Sequence, residues 1–171
     1  GRNQRALLEV PAASEAIPES GRAKARSIIA DVVADGRVLL TEVEAKAVLA
    51  AYGVPTVETK TARTPHEAGE IARAFAVPVA LKILSRDISH KTDVGGVRLN
   101  LETATETETA AKTMLERVKS TAPEARIDGF TIQPMIRRPM AHELIVGCHA
   151  DPTFGPTVLF GAGGVAVEIL A

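Results

Sequence analysis

Pro78-Val-Ala-Leu-Lys-Ile-Leu-Ser-Arg-Asp-Ile-Ser-His-Lys-Thr-Asp-Val-Gly-Gly-Val-Arg-Leu-Asn-Leu101 is the stretch on which the reading of this chain turns. An apolar, strand-like run carries one lysine, Lys82. A polar stretch with His90, Lys91, Thr92 and Asp93 follows, and Gly95-Gly96 then opens a second strand-like run. Surrounding a lone ammonium with aliphatic side chains is costly unless an anion meets it. A glycine pair lets backbone N–H groups approach a ligand closely. Together these features predict a pocket for a phosphorylated ligand, closed by a loop.

On the N-terminal side the periodicity is helical. Residues 1–20, with Pro11 and Pro18 among Ala, Ser and Glu, read as a linker or the tail of an upstream region. From Gly21, Ala25, Ile28, Ile29, Val32 and Val33 recur at helical spacing, and Gly36 ends that helix. Thr41 with Glu44 gives a capping-box pattern ahead of Ala45, Val48, Leu49 and Tyr52, and Gly53 closes the helix. Pro55 to Thr61 alternates as a strand. Thr64-Pro65 starts a third helix with Ala68, Ile71, Ala72 and Phe75 on one face.

On the C-terminal side, Ala110, Ala111, Met114, Leu115 and Val118 mark a further helix. Strands are expected over Gly129–Met135, Glu143–His149, Thr157–Phe160 and Val165–Leu170, with turn signals at Arg138-Pro139, Asp151-Pro152 and Gly161-Ala-Gly-Gly164. Helices and strands mix without regular βαβ alternation, so the fold class is α+β. The last residues are still strand-like, and the chain reads as a fragment of a longer protein.

Composition bounds the function. The 171 residues suffice for one full core or two small subdomains. A net charge of −1 and the absence of Trp argue against a nucleic-acid surface. The single Cys148 excludes an intrachain disulfide and a Cys-rich metal site, and reads as a half-buried filler. His142 and His149 are expected on one strand, facing opposite sides, a poor metal pair. No apolar run reaches membrane-spanning length and the N-terminus is polar, so a cytoplasmic location is expected.

The ordered segments Gly53-Val-Pro55, the Lys82 strand, Ser85-Arg-Asp-Ile-Ser-His-Lys-Thr-Asp-Val-Gly-Gly-Val97, Gln133-Pro-Met135, His142-Glu-Leu-Ile-Val-Gly147, Asp151-Pro-Thr-Phe-Gly-Pro156 and Phe160-Gly-Ala-Gly-Gly-Val-Ala-Val-Glu168 carry a family resemblance. From about Gly36 onward the chain resembles the ATP-grasp domain of ADP-forming acyl-CoA synthetases (acetate–CoA ligases), relatives of succinyl-CoA synthetase β subunits. The resemblance implies an ATP-grasp fold: a first subdomain over residues 21–128 with its leading helix, and the start of a second over residues 129–171.

It also implies site roles. Lys82 would reach the α/β-phosphates, meeting phosphate oxygens rather than protein carboxylates. Gly95 and Gly96 would form a phosphate loop. Gln133, Pro134 and Met135 would present backbone to the adenine edge, with Met135 and Ile136 giving apolar contact. Glu143 would accept from the ribose hydroxyls, and His90 would relay a phosphoryl group between subunits. On the residues alone each keeps a plainer reading: a snorkelling edge lysine, a strand bulge, a solvated loop histidine, an exposed strand glutamate.

The implied cofactors are ATP and Mg²⁺, with the metal ligands expected beyond Ala171. The implied partner is a CoA-binding domain or α subunit, with a fused acetyltransferase in some relatives. The expected function is the nucleotide-binding portion of a ligase, the chain by itself being inactive and at most a weak nucleotide binder. A second reading makes it a ligand-sensing, synthetase-like domain of a protein lysine acetyltransferase.

Overall fold

The computed structural model describes residues 19–138 and 140–163. The expected Val165–Leu170 strand and most of the expected linker lie outside the described residues. The chain divides into two units with the boundary after Met135.

The first unit opens with two helices that pack on each other, α1 (Glu19–Ala34) and α2 (Glu42–Ala51). Gly36, at φ +73°, ends α1 as its spacing predicts. Thr41 caps α2 through the predicted capping box with Glu44. Arg37 reaches from the connection to Glu44 at 2.7 Å. A short edge strand β1 (Lys60–Ala62) follows, then α3 (Pro65–Phe75), capped by Thr64 with Pro65 in the first turn. Next come β2 (Val79–Ser85), β3 (Val97–Leu101), α4 (Ala104–Thr121, capped by Thr103) and β4 (Ile127–Pro134).

The four strands form one antiparallel sheet in the order β1-β4-β2-β3. Alternation along β2 and β4 sends Val79, Leu81, Ile83, Phe130 and Ile132 into one core, each 0% exposed. There they meet Ala68 and Ala72 of α3 and Ala110, Ala111, Met114 and Val118 of α4. Burying that many aliphatic and aromatic side chains, at roughly 1.5–3 kcal/mol each for the larger ones, is what holds the layer together. The intervening residues of β2 and β4 occupy the opposite sheet face, away from α3 and α4.

Two expectations are corrected here. Residues 129–135 do not begin the second unit: β4 lies between β1 and β2, pairing Gly129 with Leu84 and Ile132 with Leu81. The boundary therefore falls seven residues later, because an aliphatic strand with both edges paired is the centre of a sheet and not the start of another. The alternating run from Pro55 to Thr61 contributes strand only at Lys60–Ala62, since β1 has β4 as its sole partner and the pairing covers three residues.

The second unit contains β5 (Leu144–Asp151) and β6 (Gly155–Ala162), an antiparallel hairpin running from Leu144↔Ala162 to Asp151↔Gly155. The Asp151 carboxylate accepts from the Thr153 and Phe154 N–H groups at 2.7 and 2.9 Å, which fixes the turn. These two bonds hold its carboxyl below the usual range. Cys148 is exposed, not half-buried, on a strand whose pairing partner among the described residues is β6. His142 precedes β5 and does not share a strand with His149.

Candidate functional site

Lys82 sits in the middle of β2, flanked by Leu81 and Ile83 that point into the core. The pleat turns its own side chain to the opposite face. In register beside it stand Thr131 of β4 and Val97 of β3, and Gln133 pairs with the neighbouring Ala80. Over this face α2 contributes Glu42 and Lys46, one helical turn apart and so on the same side of the helix. The Lys82 ammonium lies 2.8 Å from Glu42 Oε1, and the Lys46 ammonium lies 3.0 Å from the same oxygen. Lys46 Nζ also donates to Gln133 Oε1 at 2.5 Å and Thr59 Oγ1 at 2.6 Å.

Lys82 therefore meets a protein carboxylate, where the resemblance led us to expect phosphate alone. The physical reason is the one given for needing an anion: an ammonium whose side chain is only 22% exposed has lost much of its water and takes the nearest negative charge. Burial works to raise the Glu42 carboxyl, but the hydrogen bonds from Lys82 and Lys46 outweigh it and hold the group below the ordinary range. One carboxylate thus serves two ammonium groups, and the cluster keeps a net positive charge. Beside it the Thr131 hydroxyl, on a residue 1% exposed, has no hydrogen-bond partner. The cluster thus combines surplus positive charge with a buried, unused hydroxyl, two features that anionic oxygens would satisfy.

The glycine pair behaves differently from the expectation. The Gly95 N–H donates to Thr92 O at 3.0 Å and the Gly96 N–H to Lys91 O at 2.7 Å, so neither is free for a phosphate. Gly95 adopts φ +69°, and a Cβ on Gly96 would come within 2.6 Å of Ile83 Cγ2 and 2.9 Å of Lys91 O. The pair shapes a tight return of the loop onto β2, with Gly96 O accepting from the Ile83 N–H. The first part of the same loop is tethered as well. Arg86 pairs with Asp35 and Asp128, Asp87 accepts from the Arg126 N–H, and Ile88 is buried in the core. His90 lies between these anchors, exposed and without a side-chain partner among the described residues.

Gln133 and Pro134 are ladder residues of β4, and the Met135 N–H donates to Pro78 O at 2.8 Å. That N–H is spent, and Pro134 has none, so no backbone donor at 134 or 135 is open to a base edge. Ile136 is exposed. In the second unit, Glu143 stands just before β5. Its carbonyl accepts from the Gly163 N–H at 2.8 Å, and its exposed carboxylate meets no described side chain.

Glu42, Lys46, Thr59 and Thr131 were missed by the sequence reading. Glu42 and Lys46 carry a legible signal, an i,i+4 acid–base pair, but that spacing also describes any solvated helix face. Thr131 and Thr59 carry none, since a lone threonine in or near a strand is ordinary.

Comparison with known proteins places the chain. Residues 31–171 match the family described as ATP-grasp domain. The β subunit of ADP-forming acetate–CoA ligase I from Pyrococcus furiosus is 43% identical over 148 residues, 86% of this chain and 62% of that subunit. The chain therefore spans a little under two thirds of the length of that relative. A solved acetyl-coenzyme A synthetase 1 from Ca. Korarchaeum cryptofilum, in complex with coenzyme A and Ca-AMPCP, aligns with TM-score 0.79 at 40% identity, covering 85% of this chain and 63% of that one. The same synthetase with coenzyme A and Mg-AMPPCP, its phosphohistidine segment pointing towards the nucleotide binding site, aligns with TM-score 0.67 at 36% identity, covering 85% and 60%. On its sequence and on its fold, the chain belongs to the ATP-grasp family.

Proposed function

We propose that this chain is the nucleotide-binding portion of an ADP-forming acyl-CoA ligase, which interconverts ATP, a small carboxylic acid and CoA with ADP, phosphate and acyl-CoA. The observation that carries the proposal is the half-buried Lys82, held with Lys46 on the polar sheet face beside an unpartnered Thr131 hydroxyl. The relatives supply the reaction class, since one is a subunit of an ADP-forming acetate–CoA ligase and another is an acetyl-coenzyme A synthetase solved with coenzyme A and Ca-AMPCP.

In this reading Lys82 binds the α/β-phosphates, its ammonium acting as a compact point charge against their oxygens. Gly95 and Gly96 hold the loop's shape and bring His90 to its tip, which replaces the role of phosphate donors first assigned to them. The exposed His90 imidazole then takes up a phosphoryl group: a ring nitrogen forms the N–P bond as the bond to the leaving ADP breaks. The proton on the other ring nitrogen is released to water. Pro134 and Met135 line the base side, beside the Gln133 side chain that holds Lys46.

Magnesium, where bound in such enzymes, neutralises phosphate oxygens during transfer. Among the described residues no group of three or more His, Cys, Asp or Glu could hold a metal ion, so no step is assigned to it. A CoA-binding domain or α subunit is the partner this function needs. The acetyltransferase-linked, ligand-sensing reading finds no support in the relatives named above. Among the described residues no helix is long and apolar enough to cross a membrane.

Calorimetric titration with ATP tests the proposal. Lys82→Met keeps the length and apolar stem of the side chain and removes its charge. It should weaken ATP binding on the order of tenfold or more, the value of a charge-assisted contact, while leaving the melting temperature close to that of the unchanged chain. Equal affinities would contradict the assignment.

A further inference from the structure

Glu42 and Lys46 have no part in the site as read from the sequence, yet their geometry constrains what any phosphate must do there. Lys82 and Lys46 both point at one oxygen, Glu42 Oε1, from 2.8 and 3.0 Å. The carboxylate belongs to the first turn of α2, whereas Lys82 lies forty residues away on β2. Lys46 is anchored independently of that carboxylate by Gln133 Oε1 and Thr59 Oγ1. Both ammonium groups therefore stay near the sheet if Glu42 withdraws, and Thr131 waits beside Lys82 with an unused hydroxyl.

We infer that Glu42 is an internal stand-in for the polyphosphate, and that Lys46 is a second phosphate-binding residue beside Lys82. In the ligand-free chain the carboxylate occupies both ammonium groups. A triphosphate or diphosphate tail displaces it, exchanging one negative charge for several on the same pair of cations. The half-buried setting makes the exchange costly for a weakly charged anion and favourable for a strongly charged one, so the pair also discriminates between nucleotides by the charge of their tails. An internal competitor lowers apparent affinity by the fraction of molecules in which the site is vacant. This inference rests on the nucleotide-binding reading and adds to it a residue that opposes binding and a residue that supports it.

The test titrates the chain, Glu42→Gln and Lys46→Met with ATP, inorganic tripolyphosphate and adenosine, with thermal melts as a check on folding. Glu42→Gln keeps the shape of the side chain and removes its charge. It should bind ATP and tripolyphosphate about fivefold more tightly, the scale of a partly exposed ion pair, and adenosine no differently. Lys46→Met should weaken ATP and tripolyphosphate on the order of tenfold and again leave adenosine unchanged. If the unchanged chain binds ATP but Glu42→Gln binds it no more tightly, or tightens equally toward adenosine, Glu42 is a strut and the inference fails alone. If neither the chain nor Glu42→Gln takes up ATP or tripolyphosphate, the nucleotide reading itself falls.

Discussion

Lys82 owes its setting to the pleat of β2. Its neighbours Leu81 and Ile83 are drawn into the core, and the strand then has no choice but to turn the ammonium to the other face, where α2 supplies the counter-charge. This much was legible: a single cation in an aliphatic run announces a partner. The identity of the partner was not, because Glu42 is separated from Lys82 by forty residues and reads as part of a helical surface. A second ion pair behaves more simply. Glu44 accepts from Arg37 at 2.7 and 3.0 Å while closing the capping box with Thr41. The Arg37 hydrogen bond brings its carboxyl down to about 2 from 4.5, against the opposing pull of burial. A lowered folded-state value means the stabilisation is complete above about 4.5 and drains away as the pH falls toward about 2. In melts across pH 2 to 6, the unchanged chain should lose its advantage over Glu44→Gln through that window. A difference that stays constant to pH 2 would contradict the assignment.

At the scale of elements, helix ends were the most readable features. Thr41 and Thr64 each cap the helix that their sequence context announces, since capping depends only on residues within one turn, and Thr103 caps α4, a start that the sequence reading did not assign. Strands were less readable. β4 belongs to the first sheet, a fact fixed by pairing with β1 and β2 far away in sequence, and β1 is shorter than its alternating run. The Gly95-Gly96 pair was read as a ligand cradle, whereas its N–H groups close a turn and Gly96 packs on Ile83. Gly96→Ala should therefore act on folding first. Overpacking the core strand at that contact should cost about 1–3 kcal/mol in denaturant unfolding, with ATP affinity measured in native buffer reduced much less than by Lys82→Met. A stable Gly96→Ala that has lost ATP binding would restore the cradle reading.

At the scale of the molecule, the α+β class and the ATP-grasp resemblance were available from spaced segments alone, and the comparisons agree with them. What the sequence could not supply was the polar cluster, because its closure depends on contacts such as Lys46 to Gln133 across 87 residues. Pattern reading sees the two faces of β2 and β4 but not which helix covers each. The core side was covered by α3 and α4, and the polar side received α2.

The most direct test is a titration of the isotopically labelled chain with ATP, followed by nuclear magnetic resonance. The account predicts that the largest shifts appear at Lys82, Lys46, Thr131 and the amides of the α2 first turn, with Ala111, Met114 and Val118 on the opposite sheet face unmoved. Shifts confined to the α3–α4 side, or none around Lys82 at saturating ATP, would contradict it.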